Sequence, residues 1–465
     1  MTRDRKAKIV CTIGPATSSP EKLRALIEAG MNVARLNFSH GDYESHRNVI
    51  ETVRQLSVEM DQPIAVLQDL AGPKVRVGYI SGDSVLLEAG NTFTLTTRKV
   101  EGYNKIASVS YPQLPDEVEV GDKIMLADGT IVLTVEEIKG TDIHCRIVFG
   151  GNLSSRKGVN CPSGLFGLPI LREKDLEDLR FGVENQVDYV GLSFVRTAAD
   201  VLTAKAELAK AEAADTPVIA KIETHAALGH FDEILKEADG VMIARGDLSI
   251  ETPFTKVPLI QKQLISKTNL ASKPVITATQ MLWSMIRNPN PTRAEVADVA
   301  NAVFDGSDAV MLSDETAVGM YPIRAVITMD SIACDSERGG LEIGWINPRA
   351  TPLERMEPDE EMARSAVQLA DRVRADFIST ITRSGRTARL VAKYRPTQPV
   401  YAVTPNRSTF QRLSLIRGIF PLLVDTDSNK YEDLLERSKL LGRQLGLEGK
   451  KGVFVSKSLI RQGML

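Results

Sequence analysis

Carboxylates, ammonium and guanidinium groups recur in this chain at one kind of place, just after a short apolar run. The clearest clusters are Arg35-Leu36-Asn37-Phe38-Ser39-His40, Gln68-Asp69-Leu70 with Lys74 and Arg76 beyond, Lys221-Ile222-Glu223, Arg245-Gly246-Asp247, Thr279-Gln280 and Ser313-Asp314-Glu315. Cations beside paired carboxylates suit the transfer of a phosphoryl group between two anions. Arg and Lys stabilise charge on the moving group, and two carboxylates can share a hard divalent ion such as Mg2+ with substrate oxygens. Lys221 and Glu223 alternate along one run, so both point to one face of a strand. Singly, each of these residues could as well cap a loop or form a surface ion pair. Six clusters in the same structural context argue against that reading for the set. Arg245-Gly246-Asp247 is also the adhesion tripeptide, but at the buried end of an apolar run it does not read as an exposed recognition loop.

The elements that must position these residues alternate between strand and helix. Lys8–Ile13, 32–36, 63–68, 188–194, Val218–Ile222, Gly240–Ala244, Val275–Ala278 and Ala309–Leu312 read as strands that are apolar throughout, as strands buried on both faces are. Helices separate them. Ser19 is an N-cap with Pro20 at the first helical position, and Thr292 with Glu295 forms a capping box. Eight right-handed βα units favour closure into a (β/α)8 TIM barrel over an open doubly wound sheet, and a barrel puts strand C-terminal ends at its active face.

Two regions break the pattern. Residues 73–162 are rich in Val, Ile and Thr, with turn signals at Gly82-Asp83, Gly121-Asp122 and Asp128-Gly129, and read as a small antiparallel β-barrel lid domain. A Pro- and charge-rich stretch, Asn347 to Asp359, reads as a linker, and α/β alternation resumes after it. The expected division is a discontinuous barrel domain (1–72 and 163–343), a lid (73–162) and a C-terminal α/β domain (344–465).

The 57 Lys and Arg residues nearly balance 60 Asp and Glu, so no global field favours nucleic acid or an anionic membrane, and anion binding must come from locally placed cations. No apolar run has the length of a membrane span, and MTRDRKAKIV carries no secretory h-region. Cys11, Cys145, Cys161 and Cys334 are scattered without a CxxC pair, which argues for reduced thiols and a cytoplasmic location.

At these same residues the chain resembles pyruvate kinase. The matching stretches are KIVCTIGP (8–15), GMNVARLNFSHG (30–41), KGVN (157–160), KIE (221–223), FDEIL (231–235), ARGDL (244–248), KPVITATQM (273–281), PTRAEVADVANAV (291–303) and ETA (315–317), in family order. The resemblance implies a cytoplasmic, Mg2+- or Mn2+-dependent glycolytic enzyme that transfers the phosphoryl group of phosphoenolpyruvate to ADP, giving pyruvate and ATP. It further implies Glu223 and Asp247 as Mg2+ ligands, and Lys221 and Arg35 on the transferring phosphoryl group. Gly246, Asp247 and Thr279 would cradle the substrate carboxylate, with Thr279 and Ser313 near the protonated enolate. Arg35, His40, Arg76 and Lys157 would contact the nucleotide, and Asn37, Ser39, Asp69 and Leu70 would line a monovalent-cation site. A homotetramer is the family's usual assembly. A catalytically silent metabolite sensor on the same fold is the alternative.

Departures from the family pattern carry their own expectations. Lys74 stands where K+-requiring members have Glu, and Leu70 where they have Thr. A Lys74 ammonium filling the monovalent-cation site would remove the need for K+. Trp283, Ser249 and Asp314 also depart, and Trp283 has no physical account. Thr382-Arg383-Ser384-Gly385-Arg386-Thr387 opens a helix and resembles the family's sugar-phosphate effector loop, suited to phosphate by its N–H groups and two Arg. The Gly- and Thr-rich segment that normally closes this domain is missing after Ser456, which sets that effector role in question.

Overall fold

The structure is a computed structural model and describes residues 5–162, 167–342, 357–424, 442–443 and 446–456. Eight parallel strands close into a barrel in sequential order: β1 (Lys8–Ile13), β2 (Val33–Asn37), β3 (Ala65–Asp69), β4 (Tyr189–Leu192), β5 (Val218–Ile222), β6 (Gly240–Ala244), β7 (Val275–Ala278) and β8 (Ala309–Leu312). Nearly every strand residue is buried, which is why the strands read as continuous apolar runs instead of alternating ones. Helix ends use local chemistry. Ser19 accepts the N–H of Lys22 ahead of Pro20, and Thr292 and Glu295 exchange side-chain and backbone bonds.

Residues 73–162 differ in detail from the expected antiparallel barrel. Seven strands form one sheet in the spatial order 75–76, 158–160, 123–126, 131–139, 142–149, 92–96 and 106–108. The last pair, Thr94–Thr96 with Ile106–Ser108, is parallel. The sheet curls until its two edges touch at a single bridge, Val77 with Val109, where the Gly78 N–H donates to the Ser108 carbonyl at 2.8 Å. A separate ribbon pairs Ser84–Leu87 with Gly151–Ser154. The unit has its own core, centred on Phe93, Leu95, Ile124, Leu133 and Ile143.

The C-terminal unit is a four-stranded parallel sheet in the order 419–423, 400–404, 377–381 and 452–455. Pro358 and Asp359, expected in the linker, form the first turn of the helix Pro358–Arg372. Proline fits there because its missing N–H would have no helical partner. The rest of the expected linker, 347–356, and the segment after Ser456 lie outside the described residues.

This unit seals the N-terminal end of the barrel. Leu415 is fully buried and joins Val10, Val33, Leu67, Ile219 and Ile276 in the barrel interior. The N–H groups at the start of β3 find their acceptors across the joint, Ile64 on Gln411 Oε1 (2.7 Å) and Ala65 on Ser414 Oγ (3.2 Å). Arg395 pairs with Asp308 at 3.1 Å, both buried. Leu415→Ala is therefore expected to cost about 2–5 kcal/mol, as for a buried leucine whose cavity cannot collapse. Denaturant titration checks this, and a loss below 1 kcal/mol would mean that the joint does not use this side chain.

Candidate active site

The opposite end of the barrel collects the polar groups. Lys221 leaves β5 with its Nζ 3.0 Å from Asp69 Oδ1, 3.1 Å from Glu223 Oε1 and 2.6 Å from Ser193 Oγ. Arg35, from β2, reaches the other Asp69 oxygen at 2.6 Å and Thr12 Oγ1 at 2.8 Å. Asp69 is thus clamped between two cations at 1% exposure. Burial alone would raise its carboxyl, but Lys221 and Arg35 outweigh that and hold it below the ordinary range. Burial likewise pulls Lys221 down, while Asp69 and Glu223 overcome it and raise the ammonium.

Glu223 behaves in the opposite sense. Burial, with Asp247 and Asp69 nearby, raises its carboxyl despite Lys221 and despite the Phe194 N–H donated to Oε2 at 2.7 Å. Phe194 bends back at φ 57° to present that N–H. Thr279 and Gln280 after β7 are also left-handed, at φ 70° and 57°, a conformation that costs non-glycine residues energy and persists only when the surroundings enforce it. Arg245 does the enforcing. It donates to the Thr279 carbonyl at 2.8 Å while both its terminal nitrogens bind Asp298 at 2.7 Å. Thr279 Oγ1 in turn accepts the Gly246 N–H at 2.8 Å. After β8, Glu315 organises the turn by accepting the N–H groups of Ser313 (2.7 Å) and Leu282 (3.1 Å).

Not every expected residue joins this cluster. The Lys74 ammonium lies 3.5 Å from Asp247 Oδ1 and 3.8 Å from Asp128 Oδ1, not among Asn37, Ser39, Asp69 and Leu70. Asp69 is already neutralised by Arg35 and Lys221, so it offers a third cation little, whereas Asp247 is partly exposed and within reach of a lysine stem. Leu70 contributes only its carbonyl, which accepts the Ser193 hydroxyl at 2.6 Å. The Asn37 side chain accepts the Ser39 N–H at 3.1 Å, and His40 is exposed with its carbonyl bonded to His46. Arg76 and Lys157 are exposed on the two chain segments that join the inserted sheet to the barrel. In the C-terminal unit Gly385, at φ 78°, precedes the helix Arg386–Lys393, Thr382 is buried, Arg383 and Ser384 are exposed, and Arg386 lies 3.8 Å from Asp359. Thr387 follows within the helix.

Sequence reading missed Thr12, Ser193, Phe194 and Asp298. Each binds a residue that it did identify, but from another strand or helix, and no local spacing signals such a pairing. For a divalent ion, the structure offers hard oxygens on Glu223 and Asp247, and the proximity of Asp247 adds to burial in raising the Glu223 carboxyl. Among the described residues no cluster of three or more His, Cys, Asp or Glu could hold a metal, so an ion here would take its remaining ligands from substrate and water.

The family model described as pyruvate kinase, barrel domain, matches residues 4–326, and that described as pyruvate kinase, alpha/beta domain, matches 360–463. The chain is 45% identical to a pyruvate kinase of Thermococcus litoralis over 94% of this chain and 92% of that one. It is 48% identical to pyruvate kinase 2 of Synechocystis sp. over 90% of this chain and 71% of the relative. The crystal structure of a pyruvate kinase from Cryptosporidium parvum superposes with a TM-score of 0.91 at 37% identity, covering 97% of this chain and 94% of that one.

Asp69→Asn would leave Arg35 and Lys221 buried without their shared counter-charge, at an expected cost of about 3–5 kcal/mol. Because the Asp69 carboxyl is depressed in the fold, its contribution is present above the unfolded value of about 3.9 and is lost as pH falls through the folded value. Urea titrations of both proteins should therefore differ most near neutrality and converge in acid. A gap that widens in acid would contradict this assignment of charge.

Proposed function

The chain belongs to the pyruvate kinase family and is an enzyme of that kind, and from this premise we propose how its own residues carry phosphoryl transfer from phosphoenolpyruvate to ADP. The observation that carries the reading is the buried Lys221 ammonium held between Asp69 and Glu223. A charge kept on in a poorly solvated pocket acts strongly on any phosphoryl group brought beside it. Lys221 stabilises the moving group from one side and Arg35 from the other. The Gly246 and Asp247 N–H groups, with Thr279, hold the substrate carboxylate. Glu223 and Asp247 hold the Mg2+ or Mn2+, which when bound supplies positive charge to the substrate oxygens. The inserted sheet acts as a lid whose Arg76 and Lys157, with His40, meet the nucleotide phosphates and exclude water. The enolate left behind takes its proton on the side of Thr279 and Ser313.

Two finer readings follow. The reaction needs no K+: Leu70 brings no side-chain oxygen to the site around Asn37, Ser39 and Asp69, while Lys74 keeps a fixed positive charge beside Asp247. A sugar phosphate binds at Thr382–Thr387, where Gly385 frees the turn and Arg383 and Arg386 supply charge. A homotetramer is the expected assembly.

Turnover coupled to pyruvate reduction, with ADP and Mg2+, tests the reading, since a silent sensor would bind phosphoenolpyruvate without turning it over. Lys221→Met should lower kcat by about 10²–10³-fold, the scale of losing one preorganised donor to developing charge. Added KCl, in buffer free of K+ and Na+, should change the rate by less than about twofold, since no step requires it. Strong stimulation would sink that proposal. A sugar phosphate should lower the half-saturating phosphoenolpyruvate concentration, and Arg383→Ala should abolish the response. An unresponsive wild type would dispose of the effector site.

A further inference from the structure

Glu251 has no part in the chemistry above, yet it joins three pieces of the site. It is the last residue of the helix Arg245–Glu251, which also carries Gly246 and Asp247. Its Oε2 accepts the N–H of His225 at 3.0 Å, in the turn that follows Glu223. Its Oε1 lies 3.4 Å from Nδ2 of Asn160, the last residue of the strand Gly158–Asn160 by which the inserted sheet returns to the barrel. The joint borders a cavity of about 50 Å³ lined also by Lys74, Phe194 and Thr224.

The contact to Asn160 is unusual in two respects. At 3.4 Å it is longer than a well-formed N–H···O bond. The Asn160 carbonyl oxygen, Oδ1, is buried with no hydrogen-bond partner although the residue is only 5% exposed, a costly state for an amide. Both features mark a joint that is made but not tightened in this position of the inserted sheet. Burial, with Asp247 and Glu223 adding to it and the bonds from His225 and Asn160 opposing it, pushes the Glu251 carboxyl up to about 7, so both forms are accessible near neutrality. The His225 imidazole lies at the same joint, its Nδ1 3.4 Å from Thr252 Oγ1, and Lys74, Arg196 and Cys161 line the cavity beside it.

We propose that Glu251 is a positioning residue: through Asn160 it latches the return strand of the inserted sheet onto the barrel, by way of the helix Arg245–Glu251 and the His225 N–H, and so sets the position of the lid. The proposal rests on the reading that Arg76 and Lys157 of that sheet hold the nucleotide phosphates. It assigns Glu251 an effect on ADP rather than on phosphoenolpyruvate, whose partners all lie on the barrel.

The test compares Glu251→Ala, Glu251→Gln and Asn160→Ala in the full-length protein. Glu251→Ala should raise KM for ADP about tenfold, the scale of one hydrogen bond to a charged group, and leave KM for phosphoenolpyruvate within about twofold. Glu251→Gln can accept from His225 and donate to Oδ1, so it should stay near wild type. Asn160→Ala should copy Glu251→Ala, and the double variant should be no worse than either alone. Amide hydrogen exchange at His225 should quicken in Glu251→Ala, and this readout needs neither turnover nor ligand. Equal changes in both KM values, no change at all, or a Gln variant as impaired as the Ala variant would each overturn the latch. If Glu251→Ala does not fold, the Gln and Asn160 variants decide between the same outcomes. A wild type without turnover would reject the functional reading instead, with the exchange measurement still judging the latch.

Discussion

A lysine ammonium buried beneath the mouth of a barrel stays charged only if carboxylates surround it. Lys221 meets this condition with Asp69 on one side and Glu223 on the other, and Arg35 balances the second oxygen of Asp69. Removing Asp69 deprives both Arg35 and Lys221 of their shared counter-charge in a buried site, a costly state. The surrounding backbone is shaped accordingly. Phe194 and Thr279 adopt left-handed conformations that bring an N–H to Glu223 and a hydroxyl to Gly246. Arg245, pinned by both oxygens of Asp298, keeps the second of these from relaxing.

The two ends of the barrel divide the work. At the N-terminal end, Leu415, Gln411 and Ser414 of the C-terminal unit fill the interior and satisfy strand N–H groups. That end is therefore closed by packing and hydrogen bonds. At the C-terminal end the strands finish in charged residues whose partners come from neighbouring strands. The packing below and the closed ladder of parallel strands hold the strand ends together where charged residues gather above.

How much of this is legible in sequence depends on the range of the interaction that decides it. The strands β1 and β5–β8 begin and end at the residues that their apolar runs mark, because burial on both faces is a local signal. Ser19 and Thr292 are legible as caps for the same reason. The inserted sheet shows the limit. Its turns are local and readable, but the parallel pairing of Thr94–Thr96 with Ile106–Ser108, and edges that meet only at Val77–Val109, depend on the path of the chain between them. Ser193, Asp298 and Glu251 escape notice because their partners lie 28, 53 and 91 residues away.

Lys74 shows why residue type and rough location do not fix the role of a long cation. From a loop after β3 its ammonium can reach either the oxygens around Asp69 or the carboxylate of Asp247. The choice is electrostatic. Asp69 is already flanked by Arg35 and Lys221, so a third cation there would meet two positive charges at close range. Asp247 stands beside the raised Glu223 and gains from a positive neighbour. The charges already in place at each carboxylate, and not the position of the lysine along the chain, decide where its ammonium sits.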